Sequence, residues 1–202
     1  MNIIKKLNNI KFYDVFKRLL DIILCIIAAI VAVPVIVITC IFVILESKGN
    51  PIYSQERLGK FGKPFTLYKI RSMSCDAEKN GPQWAGINDI RVTNIGKFLR
   101  KTRIDELPQL YNILKGDMDI VGPRPERSIF TNEFEKSIPG FMNRLNVKPG
   151  LTGLAQVNGG YDLTPSEKLH WDLIYIKKRN LWTDTKIIFK TVLVVFKGHG
   201  AR

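Results

Sequence analysis

Residues 22–45 carry no charge and only one hydroxyl side chain, Thr39, across 24 positions. As a straight helix that run is ~36 Å long at ~1.5 Å per residue. This exceeds the ~30 Å hydrocarbon core of a bilayer. A helix apolar on every side needs apolar surroundings on every side, so the segment belongs in or on a membrane. The run is too long for the apolar part of a signal peptide, and Glu46-Ser47-Lys48 is no small-residue cleavage site.

Charge then sets a conflict. Lys5, Lys6, Lys11, Lys17 and Arg18 precede the run and hold that end in the cytoplasm. A spanning helix would place everything beyond it outside. Yet residues 46–202 carry 26 of the 31 Lys and Arg residues against 16 Asp and Glu, a net charge of +10. Such a body suits anionic head groups or phosphorylated substrates on the cytoplasmic side. Pro34, near the middle of the run, removes an N–H and kinks a helix, so the segment could return to the face it entered. From the segment alone, a spanning helix with a tolerated proline is the simpler reading. The chain thus divides into a basic amphipathic segment (1–21), a membrane segment (22–45) and one compact domain (46–202).

Cys25, Cys40 and Cys75 form no disulfide framework and have no metal spacing. His170 and His199 are isolated and read as surface or interface residues. Residues 52–55 precede a turn-rich stretch and residues 65–71 alternate apolar and polar after it, which predicts a β-hairpin. Residues 74–89 read as loop, with Gly81-Pro82 and Gly86 as breakers. Helices are expected over 93–101, over 108–115 with Gly116 as the stop, and over 133–146 with a break at Pro139-Gly140. Residues 149–160 read as strand and turn. Thr164, Pro165 and Glu167 mark the start of a helix to about 179. A final apolar helix (183–197), rimmed by Lys186, Lys190 and Lys197, either closes the core or lies in the membrane interface.

Two stretches concentrate chemistry. In the first, Arg100-Lys101-Thr102-Arg103-Ile104-Asp105-Glu106-Leu107-Pro108, adjacent carboxylates follow a basic cluster. They either cap the following helix or form a phosphate station in which one carboxylate attacks phosphorus. In the second, Gly122-Pro123-Arg124-Pro125-Glu126, two prolines fix the backbone around one guanidinium. That is either a rigid turn or an anion site.

These stretches, with Lys69-Ile70-Arg71-Ser72-Met73, Lys115-Gly116-Asp117-Met118 and Lys148-Pro149-Gly150-Leu151-Thr152-Gly153-Leu154-Ala155-Gln156-Val157, occur in an order that resembles the bacterial sugar transferases, the monotopic phosphoglycosyl transferases. The resemblance covers nearly the whole chain and looks like the short form, without the four extra membrane helices of longer relatives. It implies a small α/β (α+β-like) catalytic domain on the cytoplasmic face, an N-terminal re-entrant membrane helix and interfacial amphipathic helices. It implies Mg²⁺-dependent ping-pong transfer of a sugar-1-phosphate from a UDP-sugar to polyprenyl phosphate, with release of UMP. This is the first membrane step in building capsule, exopolysaccharide, O-antigen or glycan. Carried across by motif, Asp105 is the nucleophile and also meets the metal, and Glu106 is its dyad partner. Arg100 contacts phosphate, Pro123, Arg124 and Pro125 shape the nucleotide pocket, and Lys69 and Arg71 support the phosphate or the dyad. The resemblance turns the reading of Pro34 toward re-entrance.

Two departures stand out. Val33 replaces the serine that many relatives carry before the kink proline, and Gly160-Tyr161 stands where many carry arginine after Asn158-Gly159. The donor sugar is therefore left unnamed. The expected partners are the donor, the acceptor and membrane lipids. A homodimer stays open, and nucleic acid is not expected, since phosphate and lipid account for the basic residues and no nucleic-acid-binding motif is evident. The rival class is a membrane-anchored, non-catalytic module that binds polyanions.

Overall fold

The computed structural model describes residues 2–79, 81, 83, 86 and 89–197. Pro82 and His199, singled out in the sequence, lie outside them. The first helix, α1 (Asn2–Glu46), crosses the expected boundary at residue 22 without interruption and has Pro34 inside it. Lys17, Asp21, Cys25, Ala32, Thr39 and Val43 are buried along it, four or seven residues apart, which is one face of a helix. Between residues 12 and 21 its polarity is inverted relative to a soluble helix. Tyr13, Asp14, Lys17 and Asp21 bond to the protein, while Phe12, Val15 and Leu19 are exposed.

The predicted hairpin is present and longer than expected. Strands β1 (Ile52–Leu58) and β2 (Pro64–Ile70) pair antiparallel, with Ile52 opposite Ile70. Helix α2 (Asn94–Thr102) starts at Thr93, whose Oγ1 accepts the Gly96 N–H. Its first free N–H groups, those of Asn94 and Ile95, donate to the carboxylate of Glu46 at the end of α1. Helix α3 (Gln109–Lys115) stops at Gly116, whose φ of 98° is costly for any residue with a Cβ.

Three expectations need correction. The helix expected over 133–146 begins earlier, as α4 (Ser128–Ser137), once the chain has passed Pro125. A 3₁₀ segment (Phe141–Asn146) follows the break at Pro139-Gly140. Its Phe141 ring meets Phe134 edge-on at 5.2 Å and closes the two pieces together. Strand β3 (Asp119–Val121) was not anticipated; it pairs in parallel with β4 (Gly150–Thr152). These strands approach so closely that a Cβ on Gly150 would stand 2.0 Å from the Gly122 nitrogen. The stretch read as turn after β4 contains a short helix, α5 (Leu154–Val157).

Helix α6 (Pro165–Lys178) has the predicted capping box, Thr164 with Glu167. In α7 (Leu181–Lys197), Ile187 is buried with Val121 and Tyr175, whereas Trp182, Phe189, Val192 and Leu193 are exposed. One face of this helix therefore closes the core, as one of the two readings has it, and the other face is apolar and exposed. Among the described residues the architecture is a mixed helical domain with two separate two-stranded sheets and an apolar N-terminal helix. Its core is three small clusters, and α1 supplies Cys25 to one and Val43 to another.

Candidate functional site

Arg103, at φ 61°, ends α2 in the left-handed conformation and turns the chain into a single 3₁₀ turn, Ile104–Glu106. A non-glycine residue seldom adopts that geometry. Here it points both carboxylates of the turn inward, with Asp105 6% and Glu106 7% exposed. Neither carboxylate caps α3, which has no side-chain cap. The helix-cap reading of this pair is therefore set aside.

Glu106 is the hub of a charge cluster. Its Oε1 lies 3.1 Å from Lys69 Nζ, 2.5 Å from Arg124 Nη2 and 3.9 Å from Arg103 Nη1. Burial disfavours its charge, but Arg124, Lys69 and Arg103 together hold its carboxyl well below the ordinary carboxylate range. Asp105 is different. Burial pushes its pKa up to about 6; Lys69, Arg124 and Arg100 oppose the shift and the charge of Glu106 adds to it. Its Oδ1 is shielded from solvent and has no hydrogen-bond partner in the protein. One carboxylate is thus fixed and permanently charged, while its neighbour keeps an uncommitted oxygen.

The supporting frame comes from distant segments. The side chain of buried Asn112, on α3, donates to the Thr66 carbonyl and accepts the Tyr68 N–H, which clamps α3 to the strand that carries Lys69. The loop around Arg124 is held at every carbonyl. That of Pro123 accepts from Gly150 N–H, that of Arg124 from Arg144 at 3.0 Å and that of Pro125 from Arg57 at 3.3 Å. Arg144 is itself buried against Asp172 at 2.7 Å. Asn112, Arg144 and Asp172 were not anticipated. An asparagine within an apolar helix was the one available signal.

A cavity of about 470 Å³ opens over this cluster, within the ordinary range for small-molecule sites. Among the described residues its lining includes ten Lys or Arg and four Asp or Glu, so it favours a polyanion. Asp105, Glu106, Lys69, Arg71, Arg100, Arg124 and Pro125 all line it. Pro123 is not among the lining residues and serves the backbone frame. Arg100 donates through Nε to Ser72 Oγ at 2.9 Å. Arg71 reaches away from the dyad, to the Ser47 and Lys48 carbonyls at the end of α1 and to Cys75.

The chain is similar to known proteins along nearly all of its length. The family model described as "Bacterial sugar transferase" matches residues 12–198. A UDP-N-acetylgalactosamine-undecaprenyl-phosphate N-acetylgalactosaminephosphotransferase of Aeromonas hydrophila is 44% identical over 94% of this chain and 46% of its own. A UDP-glucose:undecaprenyl-phosphate glucose-1-phosphate transferase of Klebsiella pneumoniae is 44% identical over 91% of this chain and 40% of its own. A protein of the same name from Caulobacter vibrioides is 38% identical over 89% of this chain and 69% of its own. The chain thus spans less than half the length of the first two relatives.

Proposed function

Because the chain belongs to the bacterial sugar transferase family, we propose that it moves a sugar-1-phosphate from a UDP-sugar to undecaprenyl phosphate through a covalent intermediate on Asp105. The observation that carries this reading is the unequal pair: a buried Asp105 oxygen without a partner beside a Glu106 saturated by three cations. An Asp105 carboxylate oxygen attacks the phosphorus that bears the sugar. The bond from that phosphorus to the bridging oxygen breaks, and UMP leaves with the electron pair. An oxygen of the lipid phosphate then attacks the acyl phosphate and returns the Asp105 carboxylate. Arg124 and Arg100 offset the charge that develops on the phosphoryl oxygens. Glu106 keeps Lys69 and Arg124 in place and, held charged, takes up no proton.

The residues present fit a Mg²⁺ ion bound largely through substrate. Among the described residues no cluster of three metal-ligating side chains exists, but the unpaired Asp105 Oδ1 offers one carboxylate oxygen. Magnesium commonly binds through one or two carboxylates plus phosphate oxygens. When bound it neutralises diphosphate charge.

The contacts of α1 support membrane attachment on one face. Lys17 and Asp21 near its start and Val43 and Glu46 at its end all contact the same polar body. A spanning helix would separate those contacts by ~30 Å of hydrocarbon. This favours re-entrance at Pro34, with Val31, Val33, Val37 and Ile38, each more than half exposed, facing lipid. In a cysteine-free background, Asn8→Cys and Lys48→Cys are expected to react with an impermeant thiol reagent from the same, cytoplasmic, side. Labelling from opposite sides would refute re-entrance.

Product identity tests the activity. Detergent-purified protein is incubated with Mg²⁺, undecaprenyl phosphate and a panel of UDP-sugars. UMP from at least one donor is expected, and none from Asp105→Asn. UDP in place of UMP would sink the proposed chemistry. Neither product would favour a non-catalytic polyanion-binding module.

A further inference from the structure

Gln156 is an anomaly in this domain. Its Oε1 and Nε2 are both shielded from solvent, and neither has a hydrogen-bond partner in the protein. Each such orphan costs about 1–3 kcal/mol, so a fold rarely keeps a carboxamide unpaired at both ends. Space has nevertheless been made for it. A Cβ on Gly153 would stand 2.6 Å from Gln156 Oε1 and 2.1 Å from the Gly122 carbonyl oxygen. The φ of Gly153 is −174°, extended backbone open to any residue. This glycine is therefore demanded by room and not by torsion, and part of that room holds the Gln156 carboxamide. Gln156 lines the same cavity as Asp105 and Arg124, so a turn of its side chain, which breaks no hydrogen bond, brings the carboxamide to a ligand seated there.

The chemistry of the partner follows from the group. The cationic lining serves phosphates, whereas a neutral carboxamide offers one donor and one acceptor on a single flat edge. Its complement is another flat edge with N–H beside C=O, the geometry by which glutamine pairs two-pronged with bases. In a UDP-sugar that edge is the imide of the uracil ring. The acetamido group of an N-acetylated sugar carries its N–H and C=O on opposite edges and meets a carboxamide at only one point.

Building on the donor assigned above, we propose that Gln156 is a specificity-determining residue that pairs with the uracil imide edge, N3–H with C4=O. The test compares binding of UMP and its N3-methyl derivative, which blocks that edge, to the full chain in detergent with Mg²⁺. The parent is expected to bind UMP roughly 10–100-fold more tightly than the methylated ligand, and Gln156→Met to bind the two about equally. A purely structural role for Gln156 would weaken both ligands together and leave their ratio intact. An unchanged ratio in the variant, or no discrimination by the parent, overturns the proposal. So does a variant that keeps the UMP ratio but loses a preference between acetylated and unacetylated UDP-sugars, which would move Gln156 to the sugar. A parent that binds neither ligand and turns over no UDP-sugar would instead refute the uridine donor itself.

Discussion

Asp105→Asn is expected to lower turnover at least about a thousandfold and, at the same time, to raise the melting temperature. The first effect follows from losing the proposed nucleophile. The second follows from burial, which pushes the Asp105 carboxyl up to about 6. Its pKa in the folded state is therefore above its unfolded value, and the native state holds more protons between about pH 4 and 6. The contribution of this group to stability is present below that window and is lost as pH rises through it. At neutral pH the buried charge costs up to about 3 kcal/mol. Thermal melts of both proteins should show a gap in favour of Asp105→Asn that widens from pH 4 to 7. Turnover of the parent should fall as pH drops below about 6, when Asp105 becomes protonated. A variant that melts lower than the parent at every pH would contradict the account of Asp105 as a strained, uncompensated acid.

Lys17→Met is expected to destabilise the protein by roughly 3–5 kcal/mol, the usual result of removing one partner of a buried ion pair. Lys17 Nζ lies 2.7 Å from Asp184 Oδ2, and both residues are almost fully buried. The hydroxyls of Tyr13 and Tyr175 also reach that carboxylate, at 2.8 and 2.9 Å. They cannot neutralise it, since burial and the Asp184 charge push both phenols above their usual range. The paired change Lys17→Met with Asp184→Leu should recover most of the loss, because a well-packed apolar pair removes the charge from both sides. Melting the single and double variants in detergent checks this. A single variant as stable as the parent would mean that α1 is only an anchor. A large loss makes α1 part of the fold. It also reaches the site, because Tyr175 bonds the Val121 carbonyl and Asp21 accepts the Ile120 N–H, both on the strand that leads into Pro123 and Arg124.

Much of this was legible in the sequence because it is written locally. The hairpin follows from period-two alternation. The starts of α2 and α6 follow from Thr93 and Thr164, and the end of α3 from Gly116. Asp105, Glu106 and Arg124, which the structure brings to one cavity, were singled out by motif. What escaped is made by contacts between distant parts of the chain. The β3–β4 pair joins short segments with no alternation long enough to register. Lys69 was expected to support the phosphate or the dyad, but nothing local says that it meets Glu106, 37 positions away. Arg71 was grouped with it by proximity in sequence, yet the structure ties Arg71 to the end of α1. Gln156 looked like part of a strand and turn, and its interest lies in having no partner, which no sequence pattern records. The charged residues of α1 read as a basic membrane-surface segment, whereas Lys17 and Arg18 face the protein.

The bond between Lys17 and Asp184 also sets a clock during synthesis. The two residues are 167 positions apart in the chain, so the ribosome delivers the lysine long before its counter-ion. At about 5–20 residues per second, the wait is roughly ten to thirty seconds. Throughout it, the lysine has only the acids of its own helix, Asp21 foremost, and not the buried carboxylate it finally meets. A charged residue in that position stays at the water boundary. The buried ion pair that ties α1 to the domain thus forms only when α7 arrives to latch it. A chain that stops before Asp184 would leave that latch open.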